Sequence, residues 1–237
     1  MQAAVSSVRT GKWSIWTLML ALMSGAMILA GCQAGQQDTD QATAELVLQF
    51  GDQESTLKLD RVVQITGRSD GTIICDGNEI GLAGIARAVS LRHGANPDLI
   101  AVLDLAATTG CHELEQILAA VREGGVTNLA FTRDLGADRT AVPFMLPPVD
   151  LKLPTLPEEQ KLTVGISSEG DLSVDGQVLP RDELVRHVAG KLQSVKGLVV
   201  YVEAAAGARY AEFFDLMMAL REAGATRISL WGALRAG

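Results

Sequence analysis

The sequence has few of the side chains on which catalysis and metal binding depend. It contains 3 histidines and 3 cysteines among 237 residues, with no C-x-x-C or H-E-x-x-H spacing. His93, His112 and His187 stand far apart, whereas general acid–base catalysis needs a base that is held by a partner. No glycine-rich loop followed by lysine is present to hold a phosphate. The sequence therefore predicts a protein that is not an enzyme and uses no metal or cofactor.

Clusters of basic residues are also lacking. The chain carries 20 Lys and Arg against 28 Asp and Glu, which gives a formal net charge of -8. An acidic chain without a basic patch is not attracted to a phosphate backbone or to anionic lipid. Nucleic acid is therefore excluded as a partner, and any membrane attachment has to come from an anchor.

The first 31 residues contain no acidic side chain. Arg9 and Lys12 precede a mostly apolar stretch over residues 13–30, which is the layout of a secretory signal peptide. The stretch ends in four residues that resemble the lipobox of bacterial lipoproteins: Leu29, Ala30, Gly31 and Cys32. The resemblance implies cleavage of residues 1–31 and attachment of lipid to Cys32. The alternative is that residues 13–30 remain as an uncleaved transmembrane helix, for which they are just long enough.

Both alternatives place the rest of the chain in the cell envelope, anchored to a membrane and facing the periplasm; inner and outer membrane stay open. Residues 32–43 have almost no apolar surface to bury and are predicted to form a flexible, lipid-anchored stalk. Cys75 and Cys111 are the remaining cysteines. A disulfide between them and two buried free thiols are both compatible with an oxidising compartment.

A repeat without gaps fills most of the remaining sequence. Residues 63–131 match residues 162–230 at a constant shift of about 99 residues, and we interpret them as a first and a second copy of one unit. Identities fall at turns and helix ends, where backbone geometry is demanding. They include Gly71 with Gly170, Asp76 with Asp175, Arg87 with Arg186, and Gly125 with Gly224.

Each copy predicts the element order ββαβαβ. Turn residues separate two short strands, apolar residues at helical spacing mark the final helix, and continuous apolar runs mark strands buried on both faces. The fold class is therefore α+β: two tandem two-layer α/β domains, each with two helices on one face of a small mixed sheet. We place the first domain at residues 44–135 and the second at residues 161–237.

Residues 136–160 are expected to be a stiff, extended, proline-rich linker, because 141–157 hold five of the seven prolines. A further strand is expected at residues 45–50, without an assigned place in a sheet.

The second copy resembles the periplasmic domain of the ExbD/TolR biopolymer-transport family. The resemblance is carried by residues 162–179, by 198–203 and above all by 210–230, where Tyr210 opens a helix, Gly224 closes it and an apolar strand follows. It implies an envelope protein that takes part in transmembrane transport beside a proton-channel subunit of the ExbB/TolQ type or another envelope protein; the lipid anchor is implied by the lipobox alone. Some family members bind peptidoglycan, which makes it a further candidate partner.

The family's membrane helix carries a proton-handling aspartate, but residues 13–31 contain no ionisable acid. The leading hypothesis is therefore a non-catalytic protein that is accessory to, or derived from, a proton-motive-force-coupled transport complex. The alternatives are a structural peptidoglycan-binding lipoprotein and a single-pass ExbD/TolR-type protein with an uncleaved N-terminal helix.

The last helix of the second copy has a second apolar row, formed by Tyr210, Phe214 and Met218 at spacing i, i+4, i+8. A helix that covers one face of a sheet buries only about a third of its circumference, so this row is expected at the edge or outside. Its composition is typical of an interface core. The occupant of that interface is either a partner or another part of the chain, namely the proline-rich linker or the first copy.

Overall fold

The computed structural model describes residues 45–50, 53–133, 140–146 and 156–230, and these residues form a mixed α+β fold with four helices. Through the first copy and the segment after it the elements are β1 (Glu45–Phe50), β2 (Gln53–Lys58), β3 (Val62–Gly67), β4 (Ile73–Cys75), β5 (Asn78–Ile80), α1 (Ile85–Ala95), β6 (Ile100–Leu105), α2 (Cys111–Glu123), β7 (Asn128–Thr132) and β8 (Ala141–Met145).

The second copy contains β9 (Lys161–Ile166), β10 (Leu172–Val174), β11 (Gln177–Val178), α3 (Arg181–Ser194), β12 (Val199–Ala204), α4 (Tyr210–Glu222) and β13 (Ile228–Leu230).

The two larger sheets share one strand order. The first is β5-β4-β3-β6-β7-β8 and the second is β11-β10-β9-β12-β13. In each sheet the strands that are joined through helices are parallel: β3, β6 and β7 in the first sheet, and β9, β12 and β13 in the second. The hairpin strands before the first helix are antiparallel. Each copy thus has one short strand more than the predicted order, because the Asp-Gly turn after the second strand reverses the chain into β5 or β11.

The tight turns of the two copies have the same geometry. Asp76 and Asp175 adopt positive φ values of 47° and 48°, a left-handed conformation that Asp tolerates better than most residues. Each carboxylate accepts a hydrogen bond from a backbone amide. The donor for Asp76 is Gln64 of β3, at 2.9 Å, and the donor for Asp175 is Thr163 of β9, at 3.0 Å. Equivalent side chains therefore fix equivalent turns in the two copies.

The first copy has a third layer. The hairpin of β1 and β2 packs on the sheet face opposite the helices, where Leu48 forms a cluster with Val62, Val102, Ala130 and Ala141. This corrects the prediction of a two-layer domain for the first copy. The reason is that this sheet face is apolar and has to be covered.

One further prediction is corrected in the connector. Residues 141–145 are not linker but strand β8, which pairs antiparallel with β7. Pro143 fits there because β8 is the edge of its sheet, where a missing amide donor is tolerated. The first helix begins at Ile85, after a 3-10 turn at Leu82–Gly84, because Gly81 and Gly84 have weak helix propensity.

The prediction of two separate domains is not confirmed. Residues 44–237 form one compact unit, and one apolar cluster runs from the helices of the first copy to those of the second.

Candidate functional site

The second apolar row of helix α4 lies between the two copies. Tyr210 is 0 % exposed and Phe214 is 2 % exposed, whereas Met218 is half-buried. The expected location at the edge or outside is therefore wrong for Tyr210 and Phe214. The first copy covers them, which is one of the two kinds of occupant that the sequence left open.

The phenol of Tyr210 reaches across to the carboxyl ends of two strands in the first copy. Its hydroxyl donates to the carbonyl oxygen of Thr132 at 2.6 Å and lies 3.3 Å from that of Leu103. Burial, with the nearby charge of Asp104, raises the pKa of Tyr210 far above its ordinary value. The hydroxyl is therefore a neutral donor that joins the two copies.

Aromatic and ionic contacts extend this interface. The ring of Phe213 meets that of Phe131 edge-on, with the centroids 5.2 Å apart. The guanidinium of Arg133 lies 5.3 Å from the centroid of the Phe214 ring and pairs with Asp215 at 2.9 Å. Such aromatic and cation–π contacts contribute stabilising free energy beyond that of the apolar area they bury. The row is therefore part of an intramolecular interface.

An apolar groove of about 760 Å³ lies beside this interface. The first copy and β8 line one side with Leu129, Phe144 and Leu146, and the second copy lines the other with Val199, Ile228 and Leu230. Polar side chains at the same groove include Asn128, Tyr201, Arg221 and Arg227. Concave, mostly apolar surfaces with a few polar groups are the usual sites of ligand or partner binding.

The side chains that line the groove are mostly apolar. The described residues that line it include no histidine, cysteine or carboxylate. Met145 projects at its edge with 70 % of its surface exposed, and its flexible side chain can adapt to an apolar partner. The arrangement can bury apolar side chains of another molecule and orient them with two guanidinium groups.

The two remaining thiols are buried and free, so of the two alternatives for these cysteines the structure has the free thiols. Burial, with a smaller contribution from Asp76, raises the pKa of Cys75 to about 11. Burial, with a smaller contribution from Glu115, raises the pKa of Cys111 to about 12. Both thiols are therefore protonated and unreactive at neutral pH.

The predicted anchor residues, Leu29, Ala30, Gly31 and Cys32, lie outside the described residues. Within the ranges that the structure describes, no helix is both long enough and apolar enough to cross a bilayer. The same ranges contain no group of three His, Cys, Asp or Glu side chains that could hold a metal ion.

Sequence reasoning missed the groove, although a signal for it was present in the repeat. Val62 and Val102 are apolar residues on the face of the first sheet opposite the helices, and they correspond to Lys161 and Tyr201 in the second. The more polar face of the second copy lacks an equivalent of the β1–β2 hairpin among the described residues, and Tyr201 faces the groove instead.

No curated protein matches this chain. A family model does match, over one copy only, so the predicted tandem pair of family domains is not confirmed. Residues 137–233, which include β8 and the whole second copy, match the model of the family described as biopolymer transport protein ExbD/TolR.

Proposed function

We propose that this chain is a non-catalytic, lipid-anchored envelope protein that is accessory to, or derived from, a proton-motive-force-coupled biopolymer transport complex. The observation that carries the proposal is the match of residues 137–233 to the ExbD/TolR family. Members of that family are envelope-associated and work with partners of the ExbB/TolQ type.

The accessory role rests on the N-terminal segment. A side chain that carries protons through a membrane has to be ionisable, and such residues within membrane segments are usually functional. Residues 13–31 have none. The chain on its own therefore supplies no proton path, and its contribution is to bind other components at the membrane surface.

We assign the partner contact to the groove. It combines an apolar lining with Arg221 and Arg227, and it is formed partly by the matched region. The partner of the proposal is a proton-channel subunit of the ExbB/TolQ type, and an apolar segment of that subunit would bury its side chains against Phe144 and Ile228.

The test is capture of that subunit by the full chain. The tagged chain is expressed in its own host, cross-linked and purified, and recovery of an ExbB/TolQ-type subunit is measured. Met145→Glu places a charge in the groove and should lower recovery at least about tenfold, the equivalent of about 1.4 kcal/mol. Leu91→Glu is the matched control, because Leu91 is also 70 % exposed but lies on α1 away from the groove.

The same cells test the anchor. Labelled fatty acid should enter the wild type but not Cys32→Ala, because lipid attachment requires that thiol. A Cys32→Ala chain that still takes up label would contradict the lipidation. Recovery of peptidoglycan without any channel subunit would replace the transport hypothesis by a structural, wall-binding one. Equal recovery with Met145→Glu and Leu91→Glu would remove the groove from the proposal.

A further inference from the structure

The two copies touch through a reciprocal pair of backbone hydrogen bonds. The amide of Cys111 donates to the carbonyl oxygen of Ala208 at 2.8 Å, and the amide of Tyr210 donates to that of Thr109 at 2.7 Å. Gly110 and Arg209 stand opposite each other between these bonds as an antiparallel bridge.

This pattern has the symmetry of a two-fold axis. The repeat aligns Thr109 with Ala208, Gly110 with Arg209, and Cys111 with Tyr210. Exchanging the copies therefore converts each of the two hydrogen bonds into the other. In an isologous interface between identical subunits, residue i contacts j and j contacts i in the same way. A contact between two unrelated surfaces would have no reason to join aligned positions.

Side chains farther from the bridge obey the same relation. Tyr210 reaches the ends of β6 and β7 in the first copy. Its counterpart Cys111 faces the equivalent ends in the second copy, where it lines a cavity of about 20 Å³ with Val202 and Leu230. The ring pair of Phe213 and Phe131 likewise corresponds to Leu114 and Leu230, which line that cavity. The symmetry is thus kept by the two backbone bonds that flank the bridge. Around them it is broken by a third backbone bond, in which the amide of Ala211 donates to the carbonyl oxygen of Ala107 at 3.2 Å, and by side chains that are larger on one side than on the other.

We propose that the contact between the copies is a homodimer-type interface closed within one chain, so that the first copy occupies the place of a second subunit. The surface around residues 106–111 and 205–210 is consequently not available to another chain. The two copies belong to one chain, and this covalent connection favours their contact, because it replaces a bimolecular association by an intramolecular one at high effective concentration. This inference does not depend on the transport role.

A disulfide across the bridge tests it in the full chain. Gly110 and Arg209 are a non-hydrogen-bonded antiparallel pair, for which the Cα atoms lie about 4.5 Å apart, within the range of disulfides. A Cβ at Gly110 meets only the carbonyl oxygen of Ala206 at 3.7 Å, so the substitution is tolerated. Gly110→Cys with Arg209→Cys should lose two thiols by mass spectrometry on mild oxidation and migrate as a monomer. Gly110→Cys with Gly190→Cys is the unpaired control.

A second experiment distinguishes contact between the two copies of one chain from contact between copies of different chains. Two differently tagged chains, one with Gly110→Cys and the other with Arg209→Cys, are co-expressed and oxidised. No mixed dimer should form. A mixed dimer, or a doubly substituted chain that cross-links only as a dimer, would overturn the proposal.

Wild-type protein provides a measurement without substitutions. The amide protons of Cys111 and Tyr210 should exchange slowly with solvent, at rates that are independent of dilution. Fast exchange of both amides, or exchange that accelerates on dilution, would also overturn the proposal.

Discussion

At the scale of single residues, the copies differ at the surface where they meet. Tyr210 and Cys111 occupy aligned positions at the start of α4 and α2, and both are buried. Tyr210 adds a hydroxyl that bonds to backbone carbonyls across the interface. Buried hydroxyls need such a partner, so the tyrosine both fills the interface and fixes its register.

Tyr210→Phe should lower the free energy of unfolding by about 1 kcal/mol, because it removes hydrogen bonds but keeps the ring. Tyr210→Cys, which imitates the first copy, also removes the ring and should cost about 3 kcal/mol or more. Urea titrations of both variants measure the difference. If Tyr210→Phe were as stable as the wild type, the hydroxyl would not bridge the copies in solution.

The buried thiols predict how stability depends on pH. A cysteine in the unfolded chain has a pKa near 9.0, whereas the folded structure raises the pKa of Cys75 to about 11 and that of Cys111 to about 12. Below pH 9.0 both states hold the proton and the full stability is present. Above it the unfolded chain loses protons that the folded chain keeps, so stability falls as pH rises toward the folded values.

The measurement is the urea midpoint between about pH 7 and pH 10.5, a window that spans the unfolded pKa. A variant with Cys75→Ala and Cys111→Ala is less stable throughout but should lose less stability over that window than the wild type does. Parallel curves for the two proteins would show that the thiols play no part.

At the scale of elements, the two larger sheets have the same order of corresponding strands, but only the first has a hairpin packed on the face opposite its helices, among the described residues. The helices lie on one face of each sheet, as the apolar spacing predicted, and the parallel strands follow from the crossovers. The opposite face of the first sheet is apolar and lies under the β1–β2 hairpin, where Val62 is 2 % exposed. The aligned Lys161 pairs instead with Glu158 near solvent.

This difference predicts unequal effects on stability when each of the two aligned residues is replaced by the other. Val62→Lys places a charge beneath the hairpin and should destabilise the protein by about 3 kcal/mol or more. Lys161→Val is the reciprocal change and should alter stability by less than about 1 kcal/mol, since an exposed ion pair contributes little. Thermal melts of the two variants give the comparison, and equal losses would mean that the hairpin does not cover this face.

At the scale of the whole molecule, the second copy is the part that matches a known family, and the first copy is the surface against which it packs. The groove arises only from their union, because its two sides come from different copies. A partner that binds there would contact both copies at once. Binding and pairing of the copies are therefore linked, and a ligand of the groove would stabilise the pair.

The sequence by itself determined the local features. Glycine and aspartate at the turns, helical spacing of apolar residues and buried apolar runs each act over a few neighbouring residues, so most elements of each copy could be predicted from them. The short strands β5 and β11 were not predicted. The resemblance of the second copy to ExbD/TolR was predicted for the same reason, because it lies in a continuous stretch of sequence around Tyr210 and Gly224.

Only the tertiary structure decided which faces meet. The sequence showed that Tyr210, Phe214 and Met218 form an apolar row on one helix, but it did not show what covers that row. The spacing of apolar residues along a helix is the same whether the surface that packs on them belongs to the same chain or to another molecule. The strand at residues 45–50 was predicted and is β1, but its partner β2, the place of their hairpin and the strand β8 were missed for a related reason. Proline in β8 removes the local signal of a strand, and pairing of β8 with β7 depends on a neighbour that only the folded chain supplies.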